Sequence, residues 1–396
     1  MTFMFFLVKT SLIFLFSSAL LSQELNRSNR IFIDSSYSQF LSSESINNHL
    51  HFSYNIKNTA IDYLDRFRDS ENLLVVFSKK TRLSDNMLFY FSAFVEDVKY
   101  KPTNQYIRYW KYDLAGVSGD ILQSYFKYEK ESLFLKFGRD IFTIGDHLSD
   151  RIIFPLYSYP YDQFLITYKK NNLSFSSYYL SLNSYSKNDT LRHINGHRIE
   201  YKYDNGYVAL NEFALYGGYN KSINIAMLNP FLIYYLYQEH NNFNSNILYS
   251  IEYKYVGARS EFFFEFVLDD IQIDKDSSGD LEPPEYGFLF NFCYYLFGSN
   301  LSKVDFNYIK IANRTFNAPV FSYEKFINNS IPINHPLGNN FWKTSLNFSF
   351  SRNSNLFRTE FVYIQKGDDA LYQKFNMDYL NNSINHGYSE NFPFGE

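Results

Sequence analysis

Residues 274–285 read DKDSSGDLEPPE, a loop dense in oxygen ligands. Asp274, Asp276, Ser278, Asp280, Glu282 and Glu285 supply carboxylates and a hydroxyl. Carboxylates fall at loop positions 1 and 3, a hydroxyl at 5, Gly279 at 6, Leu281 at 8 and Glu285 at 12. That is the spacing of a calcium-binding loop, because a hard cation takes oxygens at these alternating positions. Against it, Pro283-Pro284 stiffen the end of the loop, and the flanks read as strands rather than helices. A plain acidic loop is the alternative. Catalytic chemistry finds less support. Asp146, His147 and Asp150 lie close together with no activated serine beside them, and GVSGD at 116–120 does not match the G-x-S-x-G elbow. No Cys or His spacing suits zinc. Cys293, the only cysteine, cannot form an internal disulfide and reads as a packing residue in a strand. The chain reads as a non-enzyme.

A second set of charges recurs at every other position. Glu252 and Lys254 alternate with Tyr249, Ile251, Tyr253 and Tyr255. After a turn at Gly257-Ala258, Arg259, Glu261, Glu265 and Asp269 alternate with Phe262, Phe264, Phe266 and Leu268. Period-two alternation requires strands, one apolar face and one charged. Each arm is about ten residues or more, the length that crosses a bilayer at a tilt. In lipid the aromatic face points outward and the charged face lines a wet lumen. The stretch 193–204 adds Arg198, Glu200, Lys202 and Asp204 to that lumen. Both signs occur, so the expectation is a charge network that pairs across the lumen rather than an ion-selective constriction.

The elements that must hold these residues follow from the same pattern. Strands are expected near 73–79, 87–100, 119–129, 132–140, 162–170, 173–184, 193–204 and 207–216. They continue near 245–256, 259–273, 286–297, 302–315, 341–352 and 355–367. His49 to Asn55 could be a further strand, Asn58 to Phe67 a short helix and Leu371 to Leu380 a last strand. Short turns fall near Lys130-Glu131, Asn171-Asn172, Asn205-Gly206, Gly257-Ala258, Ser299-Asn300 and Asn353-Ser354. Asn-Gly suits a tight hairpin because both residues tolerate positive φ. Long connections, near 101–118, 141–161, 185–192, 217–244, 274–285 and 316–340, alternate with these turns. That rhythm defines the expected fold class. It is all-β, a transmembrane antiparallel up-and-down β-barrel of the bacterial outer membrane. About 14–18 strands are expected, with long outer loops partly filling the lumen.

Composition agrees. Aromatic residues make up 21% of the chain, yet mean hydropathy is -0.32, as a greasy outside around a wet inside requires. The formal charge of -4 gives no reason to expect nucleic acid. Residues 1–22 read as a secretory signal peptide: Lys9, an apolar run from Ser11 to Leu21, and a cleavage point at Ser22-Gln23. Residues 23–396 then form a single barrel domain, with no linker to divide it. The chain stops at NFPFGE, after what reads as a long outer loop. Barrels usually finish on a strand, so either the last strands are irregular or the sequence is shortened.

Four stretches, in order, resemble the Wzi family of capsule-assembly outer-membrane proteins. The first is LKFGRDIFTIGDHLSDRIIFPLYSYPYDQF from Leu135, where Gly138, Arg139 and Gly145 match. Thr143-Ile144-Gly145-Asp146 stands where that family has Trp-Gly-Pro-Gly, a departure that touches the loop geometry. The others are MLNPFLIYY (227–235), FFFEFVLDDIQID (262–274), and RTFN with HPLGNN (314–317 and 335–340). The resemblance implies an 18-stranded barrel with a lumen partly closed by inserted segments. It implies a role in capsule or surface-polysaccharide assembly or attachment, with the polysaccharide bound at the outer face and an export machinery as a further partner. Acidic sugars call for cations and aromatic platforms, which Arg108, Trp110, Tyr112, Arg139, His147 and Arg151 would supply. For Arg139 the alternative is a structural pairing with lumen carboxylates such as Glu265 or Asp269. The alternative for the whole chain is a porin for sugars or other small solutes. Outer-membrane lipid is the surrounding partner in either case.

Overall fold

The computed structural model describes residues 7–13, 48–54, 73–97, 117–145, 151–155, 160–182, 190–219, 221–270, 285–296, 302–318, 321–328, 331–352, 355–367 and 371–372. Among the described residues sixteen strands form one sheet. The first half comprises β1 (Leu7–Ile13), β2 (Asn48–Tyr54), β3 (Leu73–Ser84), β4 (Met87–Asp97), β5 (Val117–Lys130), β6 (Leu133–Ile141), β7 (Pro160–Lys170) and β8 (Leu173–Leu182). Next come β9 (Thr190–Tyr203), β10 (Gly206–Tyr219), β11 (Asn246–Val256), β12 (Ser260–Asp270), β13 (Glu285–Tyr295) and β14 (Lys303–Ile311). The small ribbon of β15 (Ile327–Asn328) and β16 (Ile331–Pro332) interrupts the series before β17 (Phe341–Arg352) and β18 (Asn355–Lys366). One helix, α1 (Tyr234–Asn241), lies between β10 and β11.

Every pairing in the large sheet is antiparallel, and neighbours in sequence are neighbours in space from β2 to β14 and from β17 to β18. This up-and-down order puts the short turns at 85–86, 131–132, 171–172, 204–205 and 257–259 at one rim. The strand ends from which the long connections start lie at the other rim. The fold class is the expected one, a β-barrel of the outer-membrane type. Among the described residues no helix is long and apolar enough to cross a membrane. β1 pairs with β18 along Leu7 to Ile13, within the stretch read as a leader. The expected helix at 58–67 lies outside the described residues, and of the stretch 371–380 only the turn at Leu371-Tyr372 is described.

The two faces divide as alternation requires. In β12, Phe263, Glu265 and Val267 are buried while Phe262, Phe264 and Phe266 are not. In β11, Leu248, Ser250 and Glu252 are buried while Ile251 and Tyr253 are exposed. Phe137, Ile199, Leu210 and Phe348 continue the exposed apolar wall on other strands. Cys293 is buried in β13, as a packing residue should be.

The lumen departs from expectation in one respect. Towards the long-connection rim it is an apolar core rather than a wet channel. Tyr178, Leu180, Phe213, Leu215, Leu248 and Val267 from the wall meet Phe142, Ile152, Ile153, Phe154, Phe316 and Phe326 from the connections. The cause is that two long connections turn inward and bring their own apolar side chains with them. Gly196 makes room for this core, since a Cβ there would lie 2.2 Å from the Tyr178 ring.

Candidate functional site

The connection from β6 to β7 enters the barrel and carries Arg151 into the charge network. Arg151 is 1% exposed and its Nη2 lies 2.6 Å from Glu252 Oε1 and 3.4 Å from Glu265 Oε1. Its Nη1 donates to the Ile144 carbonyl. Arg198 pairs with the same Glu252 oxygen at 2.7 Å and with Glu200 at 2.7 Å. Asn211 and Tyr207 complete the donors to Glu252, at 3.1 and 3.3 Å. Glu265 accepts from the backbone N–H groups of Ile152 and Ile153, at 2.9 and 3.4 Å. The two carboxylates therefore hold both the side chain and the backbone of the inserted segment. Attraction to both carboxylates outweighs burial and keeps the Arg151 guanidinium protonated, its pKa raised above the ordinary value. Gly145 covers the cluster with φ +60, and a Cβ there would lie 2.7 Å from Glu252 Oε2 and 2.9 Å from Arg151 Nη1. Only glycine fits that backbone over those charges.

The connection from β14 to β17 forms the second insert. Arg192, projecting inward from β9, donates Nε to the Tyr323 carbonyl at 2.5 Å and Nη1 to the Ile327 carbonyl at 2.6 Å. Its Nη2 donates to the Lys325 carbonyl. Asn246 Nδ2 donates to the Asn317 carbonyl at 3.0 Å, and Asp269 accepts from the Phe316 N–H. The two inserts join each other through an Ile153 to Asn334 bridge and a His335 N–H to the Ile152 carbonyl at 2.8 Å. Glu324 is buried in this insert with Oε1 lacking a partner. Burial pushes its pKa up to about 7, against the opposing pull of Lys221 and Arg192.

The expected site residues separate into groups. Glu252 and Glu265 are in the network. Glu261 and Asp269 face inward but bind Tyr295 Oη and the Phe316 N–H instead. Lys254 is partly buried above the short turn, and Arg259 is an exposed residue of that turn, because the turn runs Gly257-Ala258-Arg259 and β12 starts only at Ser260. Arg259 is thus removed from the network. Arg151, expected in an outer loop facing sugar, is wholly enclosed among its carboxylates, with no face left for a ligand. Arg139 does not reach into the lumen. It shares the outward face of β6 with Phe137 and pairs with Asp162 through two bonds of 2.8 and 2.9 Å. Glu265 and Asp269 are therefore not its partners. The order Leu135, Phe137, Arg139 already carried that sidedness. Gly138 does permit the close approach expected of it, since a Cβ there would lie 2.2 Å from the Ser124 carbonyl oxygen. Arg108, Trp110, Tyr112 and His147 lie outside the described residues, as do Asp274, Asp276, Ser278, Asp280 and Glu282. Glu285 opens β13, buried opposite Asp270. Arg192, with its three carbonyls, was not singled out by sequence; its inward parity with Arg198 was the available signal.

The connection from β10 to β11 behaves differently from the other two. It folds over the outside of the wall. Met227 and Tyr234 pack on Ala214, Tyr216 and Ile247, residues of the outward face. Beneath it His197 Nε2 lies 2.8 Å from Glu212 Oε2. His197 Nδ1 has no partner, so no serine is bonded to this histidine as a hydrolytic triad would need.

A plugged antiparallel barrel of the outer-membrane type is the class these features define. Wzi of Escherichia coli, described as an outer-membrane, carbohydrate-binding β-barrel involved in group 1 capsule assembly, has a similar fold. The superposition gives a TM-score of 0.56 at 12% identity and covers 91% of this chain and 80% of that one. The likeness to Wzi read in the sequence is therefore met in the fold. Rhodopseudomonas blastica porin (TM-score 0.36, 8% identity, 81% of this chain and 99% of that one) and Salmonella typhi OmpF (0.40, 9%, 81% and 94%) match more loosely. No family model matches the sequence, and no curated protein does.

Proposed function

We propose that the chain is a non-enzymatic outer-membrane protein that binds capsular or other surface polysaccharide through its long connections and serves its assembly or attachment. The observation that carries this reading is the double insert, locked inside the barrel by Arg151, Glu252 and Glu265 on one side and Arg192 on the other. A diffusion channel gains nothing from packed apolar side chains in its lumen, whereas a rigid scaffold for outer loops does. The carbohydrate-binding Wzi fold is consistent with it. The porin reading remains the competitor, favoured only by the general barrel form. Arg108, Trp110 and His147 are the sugar contacts in this reading, with Arg139 at the rim of the wall. Export follows from the leader at 1–22. Mass spectrometry of protein recovered from membranes should then find Gln23 at its start, and retention of Leu7–Ile13 would refute the leader. Immobilised barrel should retain purified capsular polysaccharide, and Trp110→Ala with Arg108→Ala should weaken retention. Equal passage of polysaccharide over the barrel and a blank surface would overturn the proposal.

A further inference from the structure

Residues 222–238 hold no charged side chain, in a chain that is 20% charged. They leave the barrel at the long-connection rim and descend along its outer wall. Phe231 stacks on Phe175, near the start of β8 at the short-turn rim, with ring centroids 5.6 Å apart. Tyr234 lies against His197 at 4.8 Å. The N–H of Tyr235 donates to Glu212 Oε1 at 3.2 Å, so a wall carboxylate satisfies one of the free amides of the first turn of α1. Asn224 and Asn242 close the ends, the first accepting from Ala226 N–H and the second in the left-handed region. The segment is thus docked at several heights, from the middle of the fourteen-residue strands β9 and β10 down to Phe175, the third residue of β8.

Its outer side is apolar too. Ile225 is 80% exposed and Phe231 81%, and Leu228, Ile233, Tyr235 and Leu236 are exposed beside them. The end of α1 is polar, with Glu239, His240 and Asn241 exposed, but residues 223–237 carry apolar side chains on both sides and so have an apolar medium on each. On one side that medium is the wall. On the other, the exposed surface runs directly into Ile199, Leu210 and Ile251, which face the bilayer in a barrel of this type.

We propose that residues 223–237 are a membrane-embedded cover, lying between the barrel wall and the acyl chains of the lipid, with the exposed side chains of Lys221, Glu239 and His240 at its ends. The cover keeps the His197–Glu212 pair and the Tyr249 hydroxyl, 3.1 Å from Glu212, out of hydrocarbon. Without it an ionisable pair would face lipid near mid-height, where charge is least tolerated. The wall and cover form one unit: the wall supplies the polar anchor and the cover supplies the apolar surface.

The proposal rests on the barrel being in lipid, and the test separates the two. Trp110 and Trp342 are replaced by Phe, and one Trp is returned either as Phe231→Trp or as Phe126→Trp, a residue 48% exposed on the bare wall. Each protein is refolded into phosphatidylcholine vesicles with brominated acyl chains. Both tryptophans should lose most of their fluorescence relative to unbrominated vesicles. Quenching of Phe126→Trp without Phe231→Trp overturns the cover. Quenching of neither overturns the lipid-embedded barrel. The unaltered chain gives a second reading that needs no variant to fold: a photoactivatable acyl phospholipid should label peptide 222–238, and adducts confined to other wall peptides would equally overturn the cover.

Discussion

Arg151 shows how one side chain can fix a connection. It reaches from an irregular segment to carboxylates on two strands, and its removal would leave Glu265 with backbone amides alone. Breaking a buried pair by removing one partner costs about 3–5 kcal/mol, because a charge stays buried without compensation. Arg151→Ala should therefore lower the unfolding free energy measured in urea by an amount of that order, and the midpoint with it, with Glu265→Gln in the same chain recovering part of it. An unchanged midpoint would show that the insert is not held there. Glu324 gives the insert a pH dependence. Its folded pKa, about 7, stands above the ordinary value of 4.5, so protonation favours the docked state. The stability it contributes is full below about pH 4.5 and is lost as pH rises through 7. A shift of that size is worth up to about 3 kcal/mol. Amide protection across 321–328 should be higher at pH 5.5 than at pH 8.5, and Glu324→Gln should abolish the difference. At this scale the sequence was half legible. Glu252 and Glu265 sit on strands whose period assigns them a face. Arg151 sits in a stretch with no period, so nothing local announces where it points.

Strands were the legible elements, because alternation is a local record of a two-sided environment. The expected 245–256 and 341–352 match β11 and β17 within a residue. The inserts and α1 were not legible, since their environment is made by distant strands. The segment 217–244 reads as a long connection with chain enough to fold inward and close the pore; it lies outside the wall instead, and its helix acquires a reason only once Glu212 and Tyr216 are beneath it. Phe264 tests the outward face of the hairpin. It lies between Tyr253 and Phe290 in register and has Phe262 and Phe266 beside it on the same face. A cation on the lipid side of a barrel costs about 2–4 kcal/mol at the midplane. Phe264→Arg should thus reduce the folded fraction in lipid vesicles, read by the heat-dependent gel shift, while Phe263→Arg should fail for a different reason, by burying a second cation beside Arg151 in the packed lumen. Normal folding of Phe264→Arg would reverse the assignment of faces.

At the scale of the whole molecule the question is what a barrel with a solid interior conducts. The wall alone would enclose a pore, since the strands β2 to β14, β17 and β18 that remain without the leader come close to the number that in open barrels leaves an aqueous channel. Here that space holds two segments that bind each other as well as the wall. Ile152, Phe154, Phe316 and Phe326 are each 0% exposed, so no water reaches them. Opening a path would need the buried charges of Arg151, Glu252 and Glu265 to separate and Arg192 to release its three carbonyls, and such networks are held more tightly than their pairs. The wild-type chain in planar bilayers should accordingly show no stable openings of porin size. Arg151→Ala combined with Arg192→Ala frees both inserts while leaving the wall intact, and should produce intermittent conductance. Steady large openings in the unaltered chain would mean that the inserts are not a plug, and would move the function to the diffusion of small solutes.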